Sequence, residues 1–120
     1  MQSFLFVFIG GGLGSMCRYG IARLLAAQAL DYPLATFIAN ALACIILGAL
    51  MGLSLKGDIN PTTKLLLMTG FCGGFSTFST FSAETFELLQ AGNYLYAVAN
   101  IGLSIIICLI CIFIGLKLVG

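Results

Sequence analysis

Thr69–Glu84 reads TGFCGGFSTFSTFSAE, and the rest of the chain is organised around it. The stretch lies inside a strongly apolar segment. It carries Gly70, Gly73 and Gly74, the hydroxyls Ser76, Thr77, Ser79, Thr80 and Ser82, the rings Phe71, Phe75, Phe78 and Phe81, and a carboxylate at Glu84. A helix that only crosses a membrane has no use for so many hydroxyls. Each glycine inside a helix costs about 1 kcal/mol against alanine. A break near Gly73-Gly74 turns the segment into two half-helices. Non-helical backbone at membrane depth is tolerated only inside protein or along water, where half-helix ends make ion sites. The stretch therefore binds or conducts something.

Composition sets the medium. The 120 residues are 61% hydrophobic and 8% charged, with net charge +1 and no histidine. Soluble domains carry about 25% charged residues, so the chain is a membrane protein. The charge leaves no basic footprint for nucleic acid. Without histidine the usual proton carrier and commonest metal ligand are gone. Cys17, Cys44, Cys72, Cys108 and Cys111 all fall in apolar stretches. Cys108 and Cys111 spell C-x-x-C, but nothing beside them stabilises a thiolate. They read as small buried hydrophobes, and no structural disulfide is expected.

Four apolar segments are expected in one domain over 1–120, near residues 4–29, 33–55, 62–90 and 94–118. No basic residue precedes the first, and Arg18 and Arg23 interrupt before the A-x-A form at Ala27-Gln28-Ala29, so it reads as a retained helix and not a signal peptide. Gly10/Gly14 and Gly11/Ser15, four apart, admit a close neighbour. Arg18 sits deep enough to face protein or a vestibule, whereas Arg23 snorkels. Asp31-Tyr32-Pro33 makes the first connection, with Pro33 in the first turn of the second helix. That helix carries Thr36 and Asn40 on one face and Gly48/Gly52 lower down. Asn40 is either interhelical glue or a pore group. Thr62 or Thr63 caps the third segment, Ala91-Gly92-Asn93 turns the chain, and Tyr94 and Tyr96 suit an interface. Asn100, Ser104 and Cys108 run down one face of the last helix. Four helices enclose no pore of their own, so an oligomer is expected.

With four helices, Lys56, Lys64 and Lys117 lie on one side and at most Arg18 and Arg23 on the other. Orientation follows such a bias only where one exists. Near balance predicts insertion both ways and an antiparallel dimer. Phe75, Phe78 and Phe81 share a helical face, beside hydroxyl donors. Ring edges carry positive potential, and hydroxyls replace part of an anion's hydration shell. No acidic ring serves a cation pore. The residues point to a small-anion corridor, with carbonyls at the break able to hold a structural hard cation. A soft transition metal is not expected on residue type, with no histidine and no paired carboxylate.

Gly11-Gly12-x-Gly14-x-x-x-Arg18-Tyr19, Asn40, and Gly70-Phe71-Cys72-Gly73-Gly74-Phe75-Ser76-Thr77-Phe78-Ser79-Thr80-Phe81-Ser82 resemble the CrcB/Fluc fluoride channel family, over essentially the whole chain. The resemblance implies an all-α membrane protein: four transmembrane helices, the third broken at its centre, in a dual-topology antiparallel homodimer. It implies two pores that passively export fluoride across the bacterial inner membrane and lower its toxicity. By motif it places Phe78, Phe81 and Asn40 in the pore with Ser79, Thr80 and Ser104 beside it, and Arg18 at the vestibule. It gives a central sodium ion to the backbone carbonyls of Gly73 and Ser76. Two positions depart from the pattern: Ser76 stands where the family usually has threonine, and Cys108 where a second hydroxyl is expected.

The rival from another class is a small multidrug-type proton-coupled exporter. That machine needs a carboxylate in its first helix, where this chain has arginines. Glu84 is the one plausible embedded acid, with a partner role toward Arg18 or Arg23 as its plainer reading. An accessory subunit is a third reading. An enzyme is not expected, since no serine has an activating base nearby.

Overall fold

Helix α1 (Gln2–Leu25) and helix α2 (Leu34–Leu55) come first in the computed structural model, which describes residues 1–26 and 32–120. The expected end of the first helix at Ala29, the 27–29 tripeptide and Asp31 lie outside the described residues. A one-turn α3 (Pro61–Thr63), a π-helical segment (Lys64–Cys72), a one-turn α4 (Gly73–Phe75) and α5 (Phe78–Gln90) make up the third apolar region. Helix α6 (Tyr94–Val119) closes the chain. No strand occurs among the described residues. Helices α1, α2 and α6 are each long and apolar enough to cross a membrane.

The stops are local chemistry. Gly57 (φ +76°) ends α2 and Gly92 (φ +80°) ends α5, each in the left-handed conformation that glycine adopts without a Cβ penalty. After α5, Asn93 N–H donates to Leu88 O at 2.8 Å and Gly92 N–H to Leu89 O at 3.1 Å, which closes a Schellman motif. The cap of the third region is Asn60, not Thr62 or Thr63: its Oδ1 accepts from Thr63 N at 2.8 Å. Asn60 wins because Pro61 pre-sets the first helical φ directly after it. Pro33 lies one position before α2, at its N-cap.

Glycine sets the helix spacing. A Cβ on Gly14 would overlap Phe71 O, and one on Gly74 would overlap Gly11 O, so α1 rides directly on the backbone of the π segment and α4. Across the molecule a Cβ on Gly48 would strike Ile112 O, and one on Gly115 would strike Ile45 O. Helices α2 and α6 thus run side by side in backbone contact. Where lipid is as apolar as the side chains, this kind of close packing holds helices together. Ala39, Ala43 and Phe75 form the buried centre, flanked by Ile21, Ile46 and Phe71.

The break falls at Ser76-Thr77 rather than at Gly73-Gly74. Both residues are extended (ψ 160° and 123°), whereas Gly73-Gly74-Phe75 remain helical. The glycines serve packing, since Gly74 must clear Gly11. The break is built from side chains. Ser76 Oγ donates to Cys72 O at 2.7 Å, Thr77 pairs with Asn40, and Thr77 Oγ1 accepts from Thr80 N at 3.2 Å to start α5. The interruption also divides the phenylalanines. Phe71 and Phe75 pack edge-on at 5.5 Å, with Phe75 5% exposed in the core. Phe78 and Phe81 form a second pair at 5.8 Å, with Phe78 78% exposed.

Candidate functional site: a groove at the helix break

Asn40 reaches the break from α2. Its Oδ1 accepts from Thr77 N at 2.8 Å and its Nδ2 donates to Thr77 O at 3.3 Å. An interrupted helix leaves such groups without partners, and here one amide satisfies both. On the sequence Asn40 was either glue or a pore group; the geometry gives it an interhelical hydrogen-bonding role and also a place in a groove. That groove, of about 270 Å³, is lined by Asn40, Ser76, Thr77, Phe78, Phe81 and Ser104, with Cys44, Ile105 and Cys108 completing the wall. Of the expected pore residues, Asn40, Phe78, Phe81 and Ser104 therefore come together. Ser79 and Thr80 do not line it. Ser79 is exposed with its hydroxyl 3.3 Å from Thr77 Oγ1, and the Thr80 backbone N–H is taken by the α5 cap.

A buried relay backs the groove. Ser104 Oγ donates to Asn100 Oδ1 at 3.2 Å, Asn100 Nδ2 to Thr85 Oγ1 at 2.9 Å, and Thr85 Oγ1 to Phe81 O at 2.8 Å. Asn100 is 2% exposed. Since Asn100 Oδ1 receives the Ser104 proton, the serine presents lone pairs rather than O–H to the groove in this arrangement. Thr85 was missed from the sequence. The available signal was its place one turn after Phe81 in an otherwise apolar helical face.

Arg18 lies at the other side of the break. Its Nε donates to Gly74 O at 3.2 Å, with Ser15 Oγ 3.5 Å from the same oxygen. The cation thereby meets the negative end of the first half-helix. Arg23 lies over the Tyr19 ring at 6.0 Å. Neither arginine pairs with Glu84, whose Oε1 is buried without a hydrogen-bond partner among the described residues. Glu84 and the likewise unpartnered Tyr32 hydroxyl line a second cavity of about 270 Å³ between the ends of α1 and α2. Burial pushes the Tyr32 hydroxyl above its ordinary pKa.

The break also presents oxygens. Cys72 O and Gly74 O are taken by Ser76 and by Arg18 with Ser15, while none of the described hydrogen bonds reaches Gly73 O or Ser76 O. Gly73 is exposed, with open space where a Cβ would stand. Free carbonyls at a half-helix end fit a hard cation such as sodium. Among the described residues no group of three or more His, Cys, Asp or Glu side chains is placed to hold a metal.

Long apolar helices, a helix interrupted between them and a largely apolar groove carrying a few amide and hydroxyl groups at the interruption define a multi-pass membrane protein of the ion-pathway class. Residues 5–116 match the family model described as CrcB-like protein, Camphor Resistance (CrcB), and the chain belongs to that family. It is 47% identical over 110 residues to a fluoride-specific ion channel FluC of Pyrococcus horikoshii, covering 91% of this chain and 89% of that one. It is 43% identical over 106 residues to the protein of that name from Serratia proteamaculans, with 88% and 84% covered. With the Methylobacillus flagellatus protein of the same name it shares 40% identity over 122 residues, 99% and 95%.

Proposed function

We propose that this protein is a fluoride channel, letting the anion leave the cell down its gradient across the bacterial inner membrane. The observation that carries the reading is the groove where Asn40, Phe78, Phe81 and Ser104 meet. Phe78 and Phe81 turn ring edges to the ion, and edges carry the positive part of the quadrupole. The Asn40 amide and the Thr77 hydroxyl supply dipoles in place of water. No acidic side chain lines the groove among the described residues, and a cation pore would want a ring of them, so the pathway favours a small anion.

The working unit is an antiparallel homodimer with two pores, in which the segment from Pro61 to Gln90 provides the remaining membrane crossing. Two observations support this. Phe78 stands exposed in the single chain, so one protomer builds only part of a corridor wall. The basic residues are nearly balanced between the two sides, which removes the usual orienting bias. A structural sodium ion is held by the carbonyls of Gly73 and Ser76, where the ion neutralises the half-helix end.

Fluoride efflux from liposomes containing only this protein tests the reading, with chloride as control. Fluoride movement without comparable chloride movement is expected; no fluoride flux, or equal chloride flux, overturns it. One observation favours the proton-coupled exporter instead, namely the buried Glu84 Oε1, which has no hydrogen-bond partner among the described residues. Cationic-drug transport coupled to protons, and lost in Glu84→Gln, would establish that alternative.

A further inference from the structure

The register of α2 against α6 places two thiols opposite each other in the groove. Gly48 meets Ile112, and one turn on Gly52 meets Leu116 at the same sequence offset. One turn back along both helices, that offset pairs Cys44 with Cys108. A further turn back it pairs Asn40 with Ser104. All four of these residues line the groove, so Cys44 and Cys108 share one wall of it. The wall is therefore a ladder: an amide–hydroxyl rung, then a dithiol rung, then glycine contacts that seal the helices. In the groove Cys108 of α6 is joined by Cys44 of α2, whereas its C-x-x-C neighbour Cys111 is buried and does not line it.

We propose that Cys44 and Cys108 form a two-coordinate site for a soft, thiophilic d10 cation, of which Hg(II) is the representative, and that its occupation obstructs the groove. Thiolates select soft cations. With no third ligating side chain placed to join them among the described residues, the site suits ions content with two sulfurs. Binding releases one proton from each thiol to the groove water. Two thiolates on a divalent ion give a neutral complex, which avoids the cost of a net charge in an apolar wall. No electron moves and no oxidant is needed. The bound metal would stand one turn from Asn40 and Ser104, in the wall beside Phe78 and Phe81. The obstruction rests on the ion-pathway reading; the metal site does not.

The test treats the detergent-solubilised protein, in a Cys17→Ser background, with Hg(II). Bound mercury is counted by elemental analysis, and free thiols are mapped by alkylation and mass spectrometry. One ion per chain should protect Cys44 and Cys108 together. Because the second sulfur acts intramolecularly, either Cys44→Ser or Cys108→Ser should weaken binding about 10²-fold or more, and the double variant should be no worse than a single one. Cys44 and Cys108 alkylating independently of mercury, or single variants with unchanged affinity, would overturn the site. The protection assay on the unsubstituted pair decides the matter even where a serine variant folds poorly. In liposomes, mercury should stop fluoride efflux through the chain with both thiols, while the Cys108→Ser chain, compared with its own mercury-free rate, should lose none of it. Binding without block overturns the obstruction alone, whereas a chain that binds mercury as described but never passes fluoride overturns the channel reading and leaves the site standing.

Discussion

Asn40 and Thr77 are joined by two hydrogen bonds, side-chain amide to backbone peptide, at 2.8 and 3.3 Å. One residue of α2 thus holds open the gap between α4 and α5. Replacing Asn40 by Ala leaves the Thr77 N–H and C=O unpaired, at about 1–3 kcal/mol for each buried group. Denaturant titration of Asn40→Ala should show a loss of about 2–6 kcal/mol for the two groups together, with fluoride efflux abolished. An unchanged midpoint would mean that water replaces the amide.

Phe81 and Phe78 stand in the groove wall as a ring pair 5.8 Å apart. Phe81→Ile keeps apolar bulk and removes the ring edge. Fluoride efflux should stop while size-exclusion behaviour stays that of the parent protein. Flux at the parental rate would take Phe81 out of the ion path.

Gly73 and Gly74 are neighbours with opposite expectations. A methyl group at Gly73 meets open space, whereas one at Gly74 overlaps Gly11 O. Gly73→Ala should be neutral or gain up to about 1 kcal/mol from helix propensity. Gly74→Ala should lose about 1–3 kcal/mol as α1 is forced off the break. Thermal denaturation of the two variants side by side measures the contrast.

Thr77 Oγ1 accepts from Thr80 N and starts α5. Thr77→Val removes this cap and should cost about 1 kcal/mol, whereas Thr77→Ser should restore most of it. Melting temperatures of the three chains at one detergent concentration give the comparison.

Sodium replacement tests the carbonyl site. Exchange of sodium for a large organic cation on both sides of the membrane should abolish fluoride efflux and weaken the dimer. Equal flux in both media would remove the ion from the Gly73–Ser76 carbonyls.

The sequence carried the medium, the helical class and the key stretch. An apolar fraction of 61% with 8% charge leaves no soluble option, and glycines four apart announce close helix contact. Gly10, Gly14 and Gly48 do make such contacts. Membership of the CrcB-like family was also legible, because the motif around Gly70–Ser82 depends on residue type and spacing alone.

Tertiary structure decided the rest, above all within Thr69–Glu84. Two adjacent glycines suggest a break, yet the helix continues through them, since Gly74 serves a neighbour more than fifty residues away in sequence. The true interruption at Ser76-Thr77 is stabilised by Asn40 from another helix, a long-range pairing that no local pattern encodes. Likewise C-x-x-C describes one strip of α6, while the cysteine that shares the groove with Cys108 comes from α2. Composition and short-range spacing fix what a segment is made for; which backbone groups go unpaired, and what reaches them, depends on the helices that fold against it.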